Sequence, residues 1–352
     1  MLRYSALSIC TTVPEIRASD YFYMRKFSYI FLVLGLLVYA PPALAQDNDI
    51  INVDSTIVRL HVGVVNRSGQ PVKSLNQSDF SLFEDGVKQK IVRFEPTVAP
   101  FSVVMILDMS GSTLGFRQTI SISAMRFIDA LAPDDRVAII EFYDKVNVLN
   151  EFTNDRRKLV HSINAANGRG KTQLYKALDL SLNKLAKEEN RRKAIIVLTD
   201  GVDTEIRDQD RNFLSKFDDK EIPNSLKPET NSILNSVLFK ASTMGATIFP
   251  LALPTGDPAN LADPLPIQVE MYTAARSRLE MLARQTGGTL NTINRLEDMG
   301  RLYAEVAADV RSLYTIEYEP ENETRDGKWR EIKIAVNRPE LISRTRPGYF
   351  AK

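Results

Sequence analysis

The chain is poor in the side chains that most enzyme and metal chemistry relies on. Among 352 residues there is one cysteine, Cys10, and there are only two histidines, His61 and His161. A lone cysteine permits neither an internal disulfide nor a multi-cysteine zinc site. Two histidines leave almost no room for histidine-based triads or His-rich metal clusters. Charge excess is missing too: 45 Lys+Arg stand against 44 Asp+Glu, a formal net charge of +1. Nucleic-acid binding, which calls for a clearly basic domain or stripe, is therefore set aside. What remains for chemistry is oxygen, as carboxylates and hydroxyls. With 44% hydrophobic residues the chain can build real cores, and its length suggests two domains.

The first residues read as targeting rather than fold. Met24, Arg25 and Lys26 open a basic patch, Ile30 to Ala40 is almost wholly apolar, Pro41 and Pro42 break the run, and Ala43, Leu44, Ala45 supply a cleavage site. This is the layout of a secretory signal: the apolar run is too short to span a bilayer comfortably, and the proline pair and small residues fit cleavage better than the alternative, an uncleaved anchor. The expectation is an upstream extension at 1–23 with Met24 as the true start, a signal at 24–45, and a mature chain with no stable membrane insertion. That chain would be periplasmic or secreted. Residue 46 is glutamine, so no lipid-modified cysteine follows the signal.

The mature chain changes pattern twice. Val58, Leu60, Val62 and Val64 alternate with Arg59, His61 and Gly63, the two-residue period of a half-buried strand. Asn66 to Gly69 reads as a turn, and Phe80 to Phe83 and Val87 to Phe94 form a strand pair about Asp85-Gly86. From Phe101 the apolar runs become continuous, at Val103–Leu107, Val137–Phe142, Ala194–Leu198 and Ile248–Leu253, as strands covered on both faces require. Helical spacings lie between them: Phe116, Ile120, Ala124, Phe127, Leu131; then Leu174, Leu178, Ser181, Leu185; later Met299, Leu302, Val306, Val310. The fold class is thus α/β, a doubly wound, mostly parallel sheet over residues 98–312. After 312 the period of two returns in Tyr314, Ile316, Tyr318 and in Ile332, Ile334, Val336. Neither terminal β segment, 46–97 or 313–352, is large enough to hold a core alone. They are expected to pair into a smaller sandwich-like domain within which the α/β domain is inserted.

Ligands of open α/β sheets bind beyond the C-terminal ends of the strands. There the first strand ends in Asp108-Met109-Ser110-Gly111-Ser112, and the strand at 194–198 ends in Thr199-Asp200-Gly201. Between them Thr172 precedes a helix. Asp108, Ser110, Ser112, Thr172 and Asp200 make an all-oxygen donor set suited to magnesium or manganese rather than zinc or copper.

The segments DMSGST at 108–113, KTQLYKAL at 171–178 and IIVLTDGVDT at 195–204 resemble the von Willebrand factor type A domain with its metal-ion-dependent adhesion site. The flanks, LNQSDFSLFEDGVKQKIVRFEP at 75–96 and the ending with DGKWREIKIAV and RTRPGYFAK, are similar to bacterial von Willebrand type A related proteins in which a β domain brackets the metal domain. The resemblance implies Ser110, Ser112 and Thr172 as hydroxyl ligands and Asp108 and Asp200 as carboxylates acting directly or through water. It also implies a non-enzymatic function, the binding of a partner protein whose Asp or Glu completes the coordination.

Other readings compete. An Asp after a buried strand is often only a helix cap or turn former. AANGRGKT at 165–172 comes within one residue of a phosphate-binding loop, but Ala165 stands where the first glycine belongs and the preceding spacing is helical. A phosphohydrolase with Asp108 as nucleophile would need an acid two residues on, where Ser110 stands. A structural module with a vestigial metal site is the remaining alternative. Thr199 and Gly201 read as turn geometry, His61 as solvent-facing, His161 as lying on a charged helix face, and Trp329 as packed in the sheet domain. The charged stretch Asp203 to Asn231 and the proline-rich stretch Pro254 to Pro266 read as long loops at the metal-bearing edge, expected to touch the partner.

Overall fold

The computed structural model describes residues 57–95, 100–188, 191–260 and 262–351. The expected extension, signal and cleavage site lie outside these residues. Among the described residues no helix is long and apolar enough to cross a membrane.

The chain begins with β1 (Val58–Asn66), β2 (Phe80–Glu84), β3 (Val87–Gln89) and β4 (Ile91–Glu95). Asp85 and Gly86 both take positive φ, 48° and 82°, the two-residue turn that joins β2 to β3 with Glu84 opposite Val87. The α/β unit follows. Its elements are β5 (Phe101–Asp108), α1 (Arg117–Ala130), β6 (Arg136–Phe142), β7 (Val146–Thr153), α2 (Arg156–Ala165), α3 (Leu174–Leu185), β8 (Arg192–Thr199), α4 (Thr204–Leu214), α5 (Ser232–Met244), β9 (Ala246–Ala252), α6 (Pro266–Thr286), β10 (Asn291–Thr292) and α7 (Met299–Val310). Four strands close the chain: β11 (Tyr314–Tyr318), β12 (Trp329–Val336), β13 (Leu341–Arg344) and β14 (Gly348–Phe350).

The central sheet has the order β10-β9-β8-β5-β6-β7, parallel throughout except for the antiparallel edge strand β7. Its strands feed two cores. Val103, Met105 and Leu107 face one, with α1 and α7; Val104 and Ile106 face the other, with α3, α5 and α6. Period-two geometry with apolar residues on both faces is what makes the run continuous in sequence. Truncating a core residue such as Leu107 to alanine costs about 2–5 kcal/mol.

The flanking strands form two antiparallel four-stranded sheets, β13-β1-β11-β4 and β14-β12-β2-β3. Leu60, Val62, Leu82, Tyr314, Ile316 and Ile334 fill the space between them. β1 pairs with β11, and β11 with β4, so strands from before and after the α/β unit lie side by side.

Three expectations are corrected. His61 is not solvent-facing: it is 9% exposed, with Nδ1 3.4 Å from the Thr247 hydroxyl. The outer face of β1 and β11 is partly covered by the α/β unit: Thr315 and Glu317 are buried with His61, whereas Arg59 on the same face is exposed. Trp329 packs within the sheet domain, its ring edge-on against Phe350 at 5.1 Å, with 41% of the residue exposed. The stretch 203–231 is no loop, because α4 occupies its first half and Ile222 and Leu226 anchor much of the rest against Met271 and Ile267. Finally, 254–266 contains two short 3-10 turns, Pro254–Gly256 and Pro258–Asn260, before α6 starts at Pro266. The phosphate-loop reading fails on context, since 165–172 follows helix α2 instead of a strand.

Candidate metal centre

β5 and β8 are adjacent and parallel, with Leu107 opposite Leu198, so Asp108 and Asp200 emerge together at the C-terminal edge of the sheet. Asp108 is fully buried, Asp200 4% exposed and Ser110 1% exposed. Ser112 is exposed and marks the way in from solvent. The hydroxyls of Ser110 and Ser112 lie 3.1 Å apart. Asp108 accepts hydrogen bonds from the Ser110 backbone N–H at 3.0 Å and from the Thr199 hydroxyl at 2.8 Å.

The loop that carries Thr172 is held against this turn. Gly111 N–H donates to the Gly170 carbonyl at 3.2 Å, and Thr172 and Thr204 exchange two hydrogen bonds, Thr172 N–H to Thr204 Oγ1 at 2.9 Å and Thr204 N–H to the Thr172 carbonyl at 3.0 Å. Arg117 bridges the two loops by donating to the carbonyls of Met109 and Gly168 and to the Asn167 side chain. Asp144, in the turn between β6 and β7, accepts from Lys171 N–H at 2.7 Å. Gly170 has φ +94°, and a Cβ there would fall 2.5 Å from both Asp144 carboxylate oxygens. Asp203 caps α4, accepting from Glu205 N–H and Ile206 N–H, and also takes Tyr175 N–H.

All five residues singled out in the sequence therefore sit at one edge on three neighbouring loops. Thr199 is more than turn geometry, since its hydroxyl ties Asp108 to the Gly201 N–H. Arg117, Asp144 and Thr204 were not anticipated. No local spacing marks them, because each acts across a distance in sequence that only the fold closes.

Burial drives the electrostatics. Desolvation first, and the Asp200 charge second, push the Asp108 carboxyl up to about 7. Asp200 is also raised by burial, offset by hydrogen bonds from the Ser112 side chain and the Val202 backbone. Neither carboxylate forms an ion pair among the described residues. Nor do three or more His, Cys, Asp or Glu gather there into a metal group, so carboxylates and hydroxyls must act as a mixed set. Two buried, mutually repelling acids lined by hydroxyls, with no protein cation between them, fit a hard dication.

Residues 103–202, within the α/β unit, match the family model of the von Willebrand factor type A domain. Over 116 residues the chain is 31% identical to the uncharacterised protein sll0103 of Synechocystis sp., a match covering 32% of this chain. The matched part spans only 27% of that relative's length. Similar solved structures include the vWF domain of the type V pili tip protein Mfa5 from Porphyromonas gingivalis, at 16% identity and TM-score 0.44, covering 59% of this chain and 94% of that one. Another is a von Willebrand factor type A protein from Catenulispora acidiphila, at 13% identity and TM-score 0.46, covering 78% of this chain and 63% of that one.

Proposed function

We propose that the protein is an exported, non-enzymatic binding module in which Asp108, Ser110, Ser112, Thr172 and Asp200 hold Mg2+ or Mn2+ and a partner protein supplies an Asp or Glu carboxylate to the same ion. The observation that carries this reading is the pair of buried carboxylates with no ion pair among the described residues, ringed by hydroxyls at the strand ends. When bound, the dication supplies a Lewis-acidic position toward an external oxygen, because two carboxylates neutralise it while hydroxyls add no charge. The chain's own part is positional. Thr199 and the Ser110 backbone fix the Asp108 rotamer, Arg117 and Asp144 hold the loops in register, and exposed Ser112 keeps the approach from solvent open.

A phosphohydrolase is disfavoured by the same geometry. Asp108 is fully buried, its two oxygens already accept hydrogen bonds, and Ser110 occupies the position where an acid would be needed.

The test is a titration of the mature chain with Mn2+ by calorimetry, paired with a pull-down from envelope extract with and without chelator. Binding of about one ion, and partner capture that the chelator and Asp200→Ala both abolish, is the expected result. Capture that persists in chelator overturns the reading.

A further inference from the structure

A groove of about 770 Å3 opens beside Thr172, between α3 and α5, with the first turns of α4 as its third wall. Leu180 and Ile233 supply its apolar surface, with Val237 buried beneath them. The charged walls differ in sign: Lys171 and Lys176 stand on the α3 side, Glu205 and Asp208 on α4. Lys171, Lys176 and Glu205 form no ion pair among the described residues, and Asp208 has only the exposed Arg207 beside it at 3.3 Å. At the far end Asp179, held by Lys240 at 2.6 Å and by Asn183, closes the groove. A second cleft, of about 560 Å3, lies against the outer face of β1 and β11. Its arginines are already engaged, Arg59 by Glu317, Arg93 by Glu95 and Arg346 by the Ser242 carbonyl.

We infer that the groove beside Thr172 receives the stretch of the partner protein that follows its metal-directed carboxylate: an extended segment with an aliphatic side chain on Leu180 and Ile233 and a Lys or Arg against Glu205 and Asp208. This rests on the metal-dependent binding proposed above and adds the partner's local sequence to it. The length fits. From Leu174 to Asn183 helix α3 rises roughly 14 Å, which an extended chain covers in about four residues. Thr172 is at once a metal-site residue and part of the groove wall, so a chain leaving the ion meets the groove within a residue or two. The acidic wall rests on a fixed base, because Asp203 caps α4 and Thr204 is bonded to Thr172.

The full chain is mixed with two fluorescein-labelled peptides, Gly-Asp-Gly-Leu-Lys-Gly and Gly-Asp-Gly-Ser-Ser-Gly, and anisotropy is read in Mg2+ and in chelator. The first peptide is expected to bind about tenfold more tightly, a difference of roughly 1.4 kcal/mol, and only with metal. Glu205→Lys and Ile233→Asp, each confirmed by calorimetry to keep Mn2+ affinity, are expected to remove most of that advantage while leaving the second peptide unchanged. Equal binding of the two peptides, or variants that preserve the preference, overturns the groove assignment and leaves metal-dependent binding standing. Metal-independent binding of both peptides, or no Mn2+ binding by the wild type, overturns both.

Discussion

Asp108 is a residue whose ordinary charge the fold resists. With its carboxyl raised to about 7 by burial and by Asp200, the folded metal-free protein holds a proton that the unfolded chain releases near the ordinary aspartate range. Its contribution to stability is therefore largest below about pH 4 and is lost as pH rises through 7. Two outcomes follow, both read by thermal melting at pH 7.5. Asp108→Asn raises the melting temperature of the metal-free chain, and saturating Mg2+ stabilises the wild type, by about 2.7 kcal/mol at a hundredfold excess over Kd, but not the variant. Asp144 gives a test at a distance from the ion. Because it fixes Lys171 N–H one residue before Thr172, Asp144→Ala should weaken Mn2+ affinity roughly tenfold, whereas Asp144→Asn, which keeps an acceptor, should retain most of it in the same calorimetric titration. The shared edge of the five residues was legible in sequence, because Asp108, Ser110, Ser112 and Asp200 lie within a few residues of the end of a continuous apolar run and Thr172 lies just before a periodic helix. Asp144 and Arg117 were not, since their partners at Lys171, Met109 and Gly168 are backbone groups, and any sequence supplies those.

Among the elements, the strands of the parallel sheet were readable and α4 was not, and a buried ion pair explains the difference. The inward positions of α4 are Ile206, Asp210 and Leu214. The middle one is an aspartate gripped by both Nη atoms of Arg278 from α6, at 2.7 and 2.8 Å. Replacing one apolar position in three by a charge erases the helical stripe, and the segment reads as a charged loop. The antiparallel edge strand β7 escaped notice for a related reason, its Val146, Asn147, Leu149 and Glu151 alternating too weakly between sheet and solvent. β1 misled in the opposite sense: its alternation is real, but the face bearing His61 packs on a second layer instead of water. Helix α4 also starts at the site, and its cap is a measurable part of it. Asp203→Ala removes the acceptor for Glu205, Ile206 and Tyr175 N–H and should cost about 1 kcal/mol in urea unfolding, with little change in the unfolding slope.

At the scale of the whole molecule the sandwich and the α/β unit meet across a polar layer. His61 lies there with Thr247 beside it and with Arg59, Arg192, Lys193 and Arg346 as its charged neighbours. Burial first, and those cations next, lower it to about 3, so the folded protein keeps the imidazole neutral while the unfolded chain protonates below about 6.5. Stability from this source is complete above that value and is lost toward pH 3, at up to about 1.4 kcal/mol per pH unit. His61→Gln should flatten the fall in melting temperature between pH 7 and 4. Removing residues after 312 takes away β11, the partner of both β1 and β4, and limited proteolysis should then cut within 58–95. The same pairing has a further consequence. Glu95 stands opposite Thr315, so the roughly two hundred residues between them leave and return through neighbouring positions of one ladder. The α/β unit is in effect a plug-in cassette on a fixed socket: a head of different specificity can be exchanged at that doorway while the ladder of the base stays paired.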